Sequence, residues 1–150
     1  MLGLLEREAG VILFVLVCAI AILKGGRVEQ MGAGLLLVSW AASTSAQADV
    51  GTFSTQYAVM AIDVIDLAVF SILAWRSNRS WPMWAAAFQA IEVAVHVARA
   101  AGLRISGLPY ITAVNLSAYG VMGALLVGAI IVWREREALK GSPLSSTSRQ

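Results

Sequence analysis

Five largely apolar stretches, each close to the length of a membrane-crossing helix and separated by short polar turns, constrain this chain more than any other feature. A helix needs about 20 residues to cross the hydrocarbon core of a bilayer, within a range of roughly 17 to 25. The stretches are residues 5–23, 31–48, 54–75, 81–101 and 108–133. The first contains an uncharged block over 9–23 and stops at Lys24-Gly25-Gly26-Arg27, where paired glycines and two cations break the pattern. The third stops at Arg76-Ser77-Asn78-Arg79, and the fourth tolerates Pro82 in its first turn, where an N–H would be unpaired anyway. Residues 134–140 read as a charged helical extension of the fifth. Residues 141–150 are rich in serine and cannot bury themselves, so they read as a disordered cytoplasmic tail. The expected fold is an all-α polytopic membrane bundle of about five transmembrane helices, occupying residues 1–140.

Composition agrees. Hydrophobic residues make up 59% of the chain and charged residues 13%, against about 25% charged in a soluble domain. The apolar runs are too unbroken for helices with one wet face. A formal net charge of +2 is too small for a nucleic-acid partner, and the basic residues sit singly or in pairs between apolar runs. Cys18 is the single cysteine, which excludes an intrachain disulfide, and its apolar surroundings favour a packing role. The methionines read as packing residues too.

The basic residues report orientation, since cytoplasmic loops carry the excess of Lys and Arg. With the C-terminus inside, eight of the 11 cations (Lys24, Arg27, Arg76, Arg79, Arg134, Arg136, Lys140 and Arg149) are cytoplasmic, and Arg7, Arg99 and Arg104 lie outside. Trp75, Trp81, Trp84 and Trp133 would then mark the inner boundary, and Phe53, Tyr57 and Tyr110 the outer one. The expectation is an N-out, C-in protein of a bacterial inner membrane. The first stretch is not a basic-headed signal peptide, because Glu6-Arg7-Glu8 precedes it. Ala46-Gln47-Ala48 does have the small-residue pattern of a cleavage site, but small residues in a transmembrane helix serve as packing faces, and that is the reading taken.

Ionisable residues inside spans cost about 2.5 to 3.5 kcal/mol each at a helix centre, so their placement needs a reason. In the third stretch Gln56, Asp63 and Asp66 share an arc of roughly 80°, and so do Gln89, Glu92, His96 and Arg99 in the fourth. The short turn between these stretches makes them an antiparallel hairpin. Counting from it at about 1.5 Å per residue sets Asp66 level with Gln89 and Asp63 level with Glu92. The expected ladder has Gln89 donating to Asp66, while Asp63 and Glu92 share a proton or take His96 as a charge partner. Thr112, Asn115, Tyr119 and Met122 share a face of the fifth stretch, so Asn115 and Tyr119 extend the seam. Ser39, Ser43 and Gln47 give the second stretch a weaker version. Gly120, Ala124 and Gly128 form a small-xxx-small face, and Ala86, Ala90, Ala94 and Ala98 a similar ladder, both suited to close helix contact.

From Asp66-Leu67-Ala68, through Trp75-Arg76-Ser77-Asn78-Arg79-Ser80-Trp81-Pro82-Met83-Trp84, to Gln89 and His96-Val97-Ala98-Arg99, the middle third resembles a pattern in small polytopic bacterial inner-membrane proteins. In these, an acid in one span is followed by an R-x-x-R-x-W-P-x-W turn and a span carrying Gln and His. The resemblance implies a bacterial membrane setting and locates the seam. It carries no activity.

The first functional reading is a structural or partner-binding membrane subunit in which the seam is packing glue, associated with itself or another membrane protein because so short a chain has few helices to enclose a pathway. The alternative is permeation of protons, ions or small solutes by the intramembrane carboxylates and histidine. Asp63, Asp66, Glu92 and His96 also make an oxygen-and-imidazole donor set adequate for a metal. No G-x-S-x-G, H-E-x-x-H or P-loop pattern occurs, and a lone His cannot supply both ligands of a bis-histidine haem. No catalytic residue and no cofactor are assigned. Reporter fusions at Asp49 and Ser142 should report opposite sides of the membrane, with Ser142 cytoplasmic; same-side reporters would mean a miscounted span.

Overall fold

The computed structural model describes the backbone of residues 2–48, 52–102 and 107–141, and the side chains of residues 8–46, 57–102 and 108–140. Gln47, Phe53, Gln56, Arg104 and the tail beyond Gly141 lie outside what is described at the side-chain level. Among the described residues the chain is all-α, with five helices and no strand: α1 (Leu2–Lys24), α2 (Arg27–Ala48), α3 (Thr52–Arg76), α4 (Trp81–Ala100) and α5 (Gly107–Gly141). The segments Tyr57–Arg76 and Leu108–Lys140 are long and apolar enough to cross a membrane. α2 and α4 are more polar, because α2 carries Ser39, Ser43, Thr44 and Ser45 and α4 carries Gln89, Glu92, His96 and Arg99.

The helix ends have local causes. α1 stops at Gly25, where a Cβ would collide with the Ala21 carbonyl and with Glu29. α2 starts four residues before the expected Met31, because Glu29 reaches back and accepts the Gly26 N–H at 2.8 Å, the reverse half of a capping box. α4 ends at Ala100; beyond it the Gly102 N–H bonds the Arg99 carbonyl at 3.1 Å, and a φ of 80° at Gly102 turns the chain out of the helix. α5, at about 1.5 Å per residue, is roughly 50 Å long, and its last turns run on as the expected charged extension.

The helices close a ring: α1 packs on α2, α2 on α3, α3 on α4, α4 on α5 and α5 on α1, and α2 also touches α5. One end is tied by charge. Arg79 donates to both Glu135 oxygens at 3.0 and 2.9 Å, Arg136 donates to the Gly25 carbonyl at 3.0 Å, and the Lys24 ammonium lies 5.2 Å from the Trp133 ring centre. The exposed Arg79–Glu135 pair is worth about 0–1 kcal/mol, so it sets position more than stability. The dry core lies in the same half of the bundle, built from Cys18 and Ala21 of α1, Ala33 of α2, Phe70 and Leu73 of α3, Trp81 and Ala85 of α4, and Leu125 and Ala129 of α5. Large apolar residues cover the outside of every helix, among them Leu16, Val38, Ile65, Ile91 and Val127.

Two readings of the sequence are corrected. Trp75 (91% exposed), Trp84 and Trp133 are exposed at the charged end, but Trp81 is only 3% exposed and points inward. Its Nε1–H donates to Glu29 at 2.9 Å, and a Cβ on Gly32 or Gly128 would overlap its indole. The small face of α5 does take a close helix contact, from the aromatic rings of α4: Gly128 receives Trp81, and Gly120 receives the Phe88 ring. In the alanine ladder of α4, Ala90 and Ala94 are exposed.

Gly128→Ala should therefore destabilise the protein by about 1–3 kcal/mol through overpacking. Gly123→Ala, where a Cβ meets nothing within 4 Å, should be neutral or stabilise by up to about 1 kcal/mol. Thermal melting in mild detergent separates the two; equal shifts would show that Trp81 is not seated against Gly128.

Candidate functional site: a carboxylate cavity with a buried Asp–His–Glu cluster

A cavity of about 770 Å³ lies in the half of the bundle away from the charged end, and all five helices line it. Its position follows from the residues that each helix contributes. α1 gives Gly10 and Phe14 from its first half, α2 gives Ser39, Trp40 and Ser43 from its second half, and α5 gives Asn115, Tyr119 and Met122 from its first half. α3 supplies Asp63 and Asp66, and α4 supplies Gln89 and Glu92. Among the described residues, three carboxylates line the cavity and no Lys or Arg does. Exposed Trp40, Asn115 and Tyr119 form a rim, and buried Asp63, Asp66 and Gln89 form a floor. The volume falls within the roughly 300–1,000 Å³ of small-ligand sites.

Asp63 is the hub. Its Oδ1 accepts from Gln89 Nε2 at 3.4 Å, and its Oδ2 lies 3.2 Å from His96 Nε2. That second approach lacks the alignment of a hydrogen bond, and both atoms are buried without another partner. Glu92, one helical turn before His96, completes the group: one donor atom each from Asp63, Glu92 and His96 lies within 4.8 Å of the others. On the far side of the imidazole, Nδ1 is 3.1 Å from the Tyr110 hydroxyl, and the rings meet edge to face with centroids 5.7 Å apart. The Arg99 guanidinium stacks over Tyr110 at 4.5 Å.

The expected ladder is present with different rungs. Gln89 bonds Asp63 rather than Asp66, and Asp66 accepts from Ser39 of α2 at 2.6 Å. Side chains on helices lean towards their own N-terminus, hence in opposite senses on an antiparallel pair. That lean brings His96 down to Asp63, and the longer Gln89 reaches the same carboxyl from below. Arg99 is on the expected face but exposed, stacked on Tyr110. Asn115 and Tyr119 reach the cavity rim from α5. Sequence reasoning counted Tyr110 only as an outer-boundary aromatic and missed its contact with His96; its place beyond a turn of unknown shape carried no signal. Ser39 was legible as the start of a polar stripe, but its partner was not.

No protein-family model, curated protein or solved structure matches this chain.

The Ser39–Asp66 bond joins α2 to α3 across the cavity wall. A double-mutant cycle on Ser39→Ala and Asp66→Ala, read by thermal melting, should give a coupling energy of about 0.5–3 kcal/mol. Additive losses would show that the contact carries none.

Proposed function

We propose that this chain is a bacterial inner-membrane protein whose five helices all span the bilayer, N-out and C-in, and whose central cavity binds a small cation for passage across the membrane. The observation that carries the reading is the cavity itself: three carboxylates, with no Lys or Arg beside them among the described residues, face an open void lined by all five helices. A seam serving only as glue closes its polar groups on one another, as Ser39 and Asp66 do. A void in contact with Asp63 and Glu92 leaves them able to exchange with a solute. Acidic side chains that face a cavity within a bundle are characteristic of ion and solute pathways. Trp40 and Phe14, with ring centroids 5.7 Å apart, add π-faces that favour a cation.

The membrane setting is supported by the inverted distribution of residues. Leu16, Val38, Ile65, Ile91 and Val127 face outward while Asp63, Asp66, Gln89 and His96 are buried, the reverse of a soluble bundle. The orientation rests on the cations tied together at one end, and the bacterial setting on the resemblance of the Asp66–Arg99 segment. A ring of five helices around the cavity supports a pathway within one chain beside the reading as a structural or partner-binding subunit.

Reconstituted in liposomes, the wild-type chain should pass at least one of protons, potassium or a divalent metal above the rate of empty liposomes. Glu92→Gln, which keeps shape and hydrogen-bonding capacity, should abolish that flux with the melting temperature nearly unchanged. Wild-type flux equal to that of empty liposomes for all three would leave the packing or partner reading in place.

A further inference from the structure

We infer that Asp63, Glu92 and His96 form a binding site for a divalent first-row transition-metal ion in the wall of the cavity. The inference names the cation and so rests on the reading of the cavity as a cation site. It starts from a contact that is unsatisfactory as it stands. Asp63 Oδ2 and His96 Nε2 are buried 3.2 Å apart, and a hydrogen placed on Nε2 does not point at the carboxylate. His96 is 5% exposed and Asp63 7%, and both of these atoms are buried. Two such atoms left to themselves forfeit the hydrogen bonds they would have made in water.

A metal ion resolves the geometry without moving either atom far. At metal–ligand distances of about 2.0–2.2 Å, two ligand atoms on one ion lie roughly 2.8–3.6 Å apart for octahedral to tetrahedral angles, and the observed 3.2 Å falls within that range. Glu92 supplies the third donor. It shares α4 with His96 at a spacing of four residues, the spacing that puts two ligands on one helix face. Its carboxylate is already within 4.8 Å of the other two donor atoms. The cavity, which Asp63 and Glu92 both line, gives an entry path and room for water at the remaining positions.

The surroundings suit a metal ligand. A histidine that binds metal through Nε2 carries its proton on Nδ1, and here Nδ1 faces the Tyr110 hydroxyl at 3.1 Å, which accepts it. Gln89 holds the other oxygen of Asp63. One imidazole and two carboxylates suit zinc, manganese or iron(II) rather than copper(I), which prefers sulfur, or magnesium and calcium, which prefer oxygen alone. Asp66, bonded to Ser39, is outside the donor set.

The test uses the full-length, tag-free chain in mild detergent, stripped with chelator and titrated with cobalt(II) while its visible ligand-field absorption is read. The expected result is saturation at one cobalt per chain, displacement by zinc, and a higher melting temperature with metal. His96→Ala and Glu92→Gln should each weaken binding at least about tenfold, as should Tyr110→Phe, which acts only by orienting His96. Glu137→Gln, at the other end of the bundle, should bind as wild type does. Glu92→Gln keeps the inference falsifiable where His96→Ala does not fold. Absence of saturable binding by the wild type, or equal binding by folded Glu92→Gln, overturns it. Flux of protons or potassium without cobalt binding would sink the metal site and leave the cation pathway standing; cobalt binding without flux would do the reverse.

Discussion

Trp81 of α4 reaches both α2 and α5, and its indole fills the space left by the missing side chains of Gly32 and Gly128. Its edge lies against Phe70 of α3, with ring centroids 6.1 Å apart, so α3 also packs against it. Its one polar atom donates to Glu29, which is 1% exposed and also accepts the Gly26 N–H. A buried indole N–H needs such a partner, and a buried carboxylate needs such donors, so each makes the other tolerable. The same carboxylate caps the start of α2, and Arg136 of α5 covers the end of α1 beside it. One end of the ring is thereby closed and dry, which leaves the other half free to splay around a cavity without loss of the bundle.

Much of this was legible from one rule: an ionisable side chain in an apolar run must have a reason to be there. That rule picked out Asp63, Asp66, Glu92 and His96, and helical periodicity put them on facing stripes of α3 and α4. Helix count and order followed from the apolar runs and their polar breaks. The partners were not legible, because contact across two helices depends on side-chain lean and crossing angle, which periodicity does not encode. Gln89 was matched to the wrong aspartate for that reason, and Ser39 left without one. Trp81 was assigned to a boundary belt because a Trp next to a polar turn commonly sits there; only the glycines on two distant helices reveal that it turns inward. Glu29 drew no notice, since an acid near a helix start is ordinary, and its burial is a property of the assembled ring.

Buried polarity is handled differently around Trp81 and around Asp63. At Trp81 and Glu29 the indole N–H, the carboxylate and the Gly26 N–H are matched, so removing one partner strands another, while the Ser77 hydroxyl at the same end is buried without one. Around Asp63 the account does not close: Gln89 satisfies one oxygen, while the second oxygen and the imidazole nitrogen meet at close range without a hydrogen bond. An unsatisfied pair of this kind costs stability on every molecule that folds, and apolar residues of similar volume would avoid the cost. α4 carries both arrangements on one helix, with Trp81 at its start and Gln89, Glu92 and His96 following along its length. The closed end fixes the depth and rotation of α4, and that placement presents its polar stripe to Asp63.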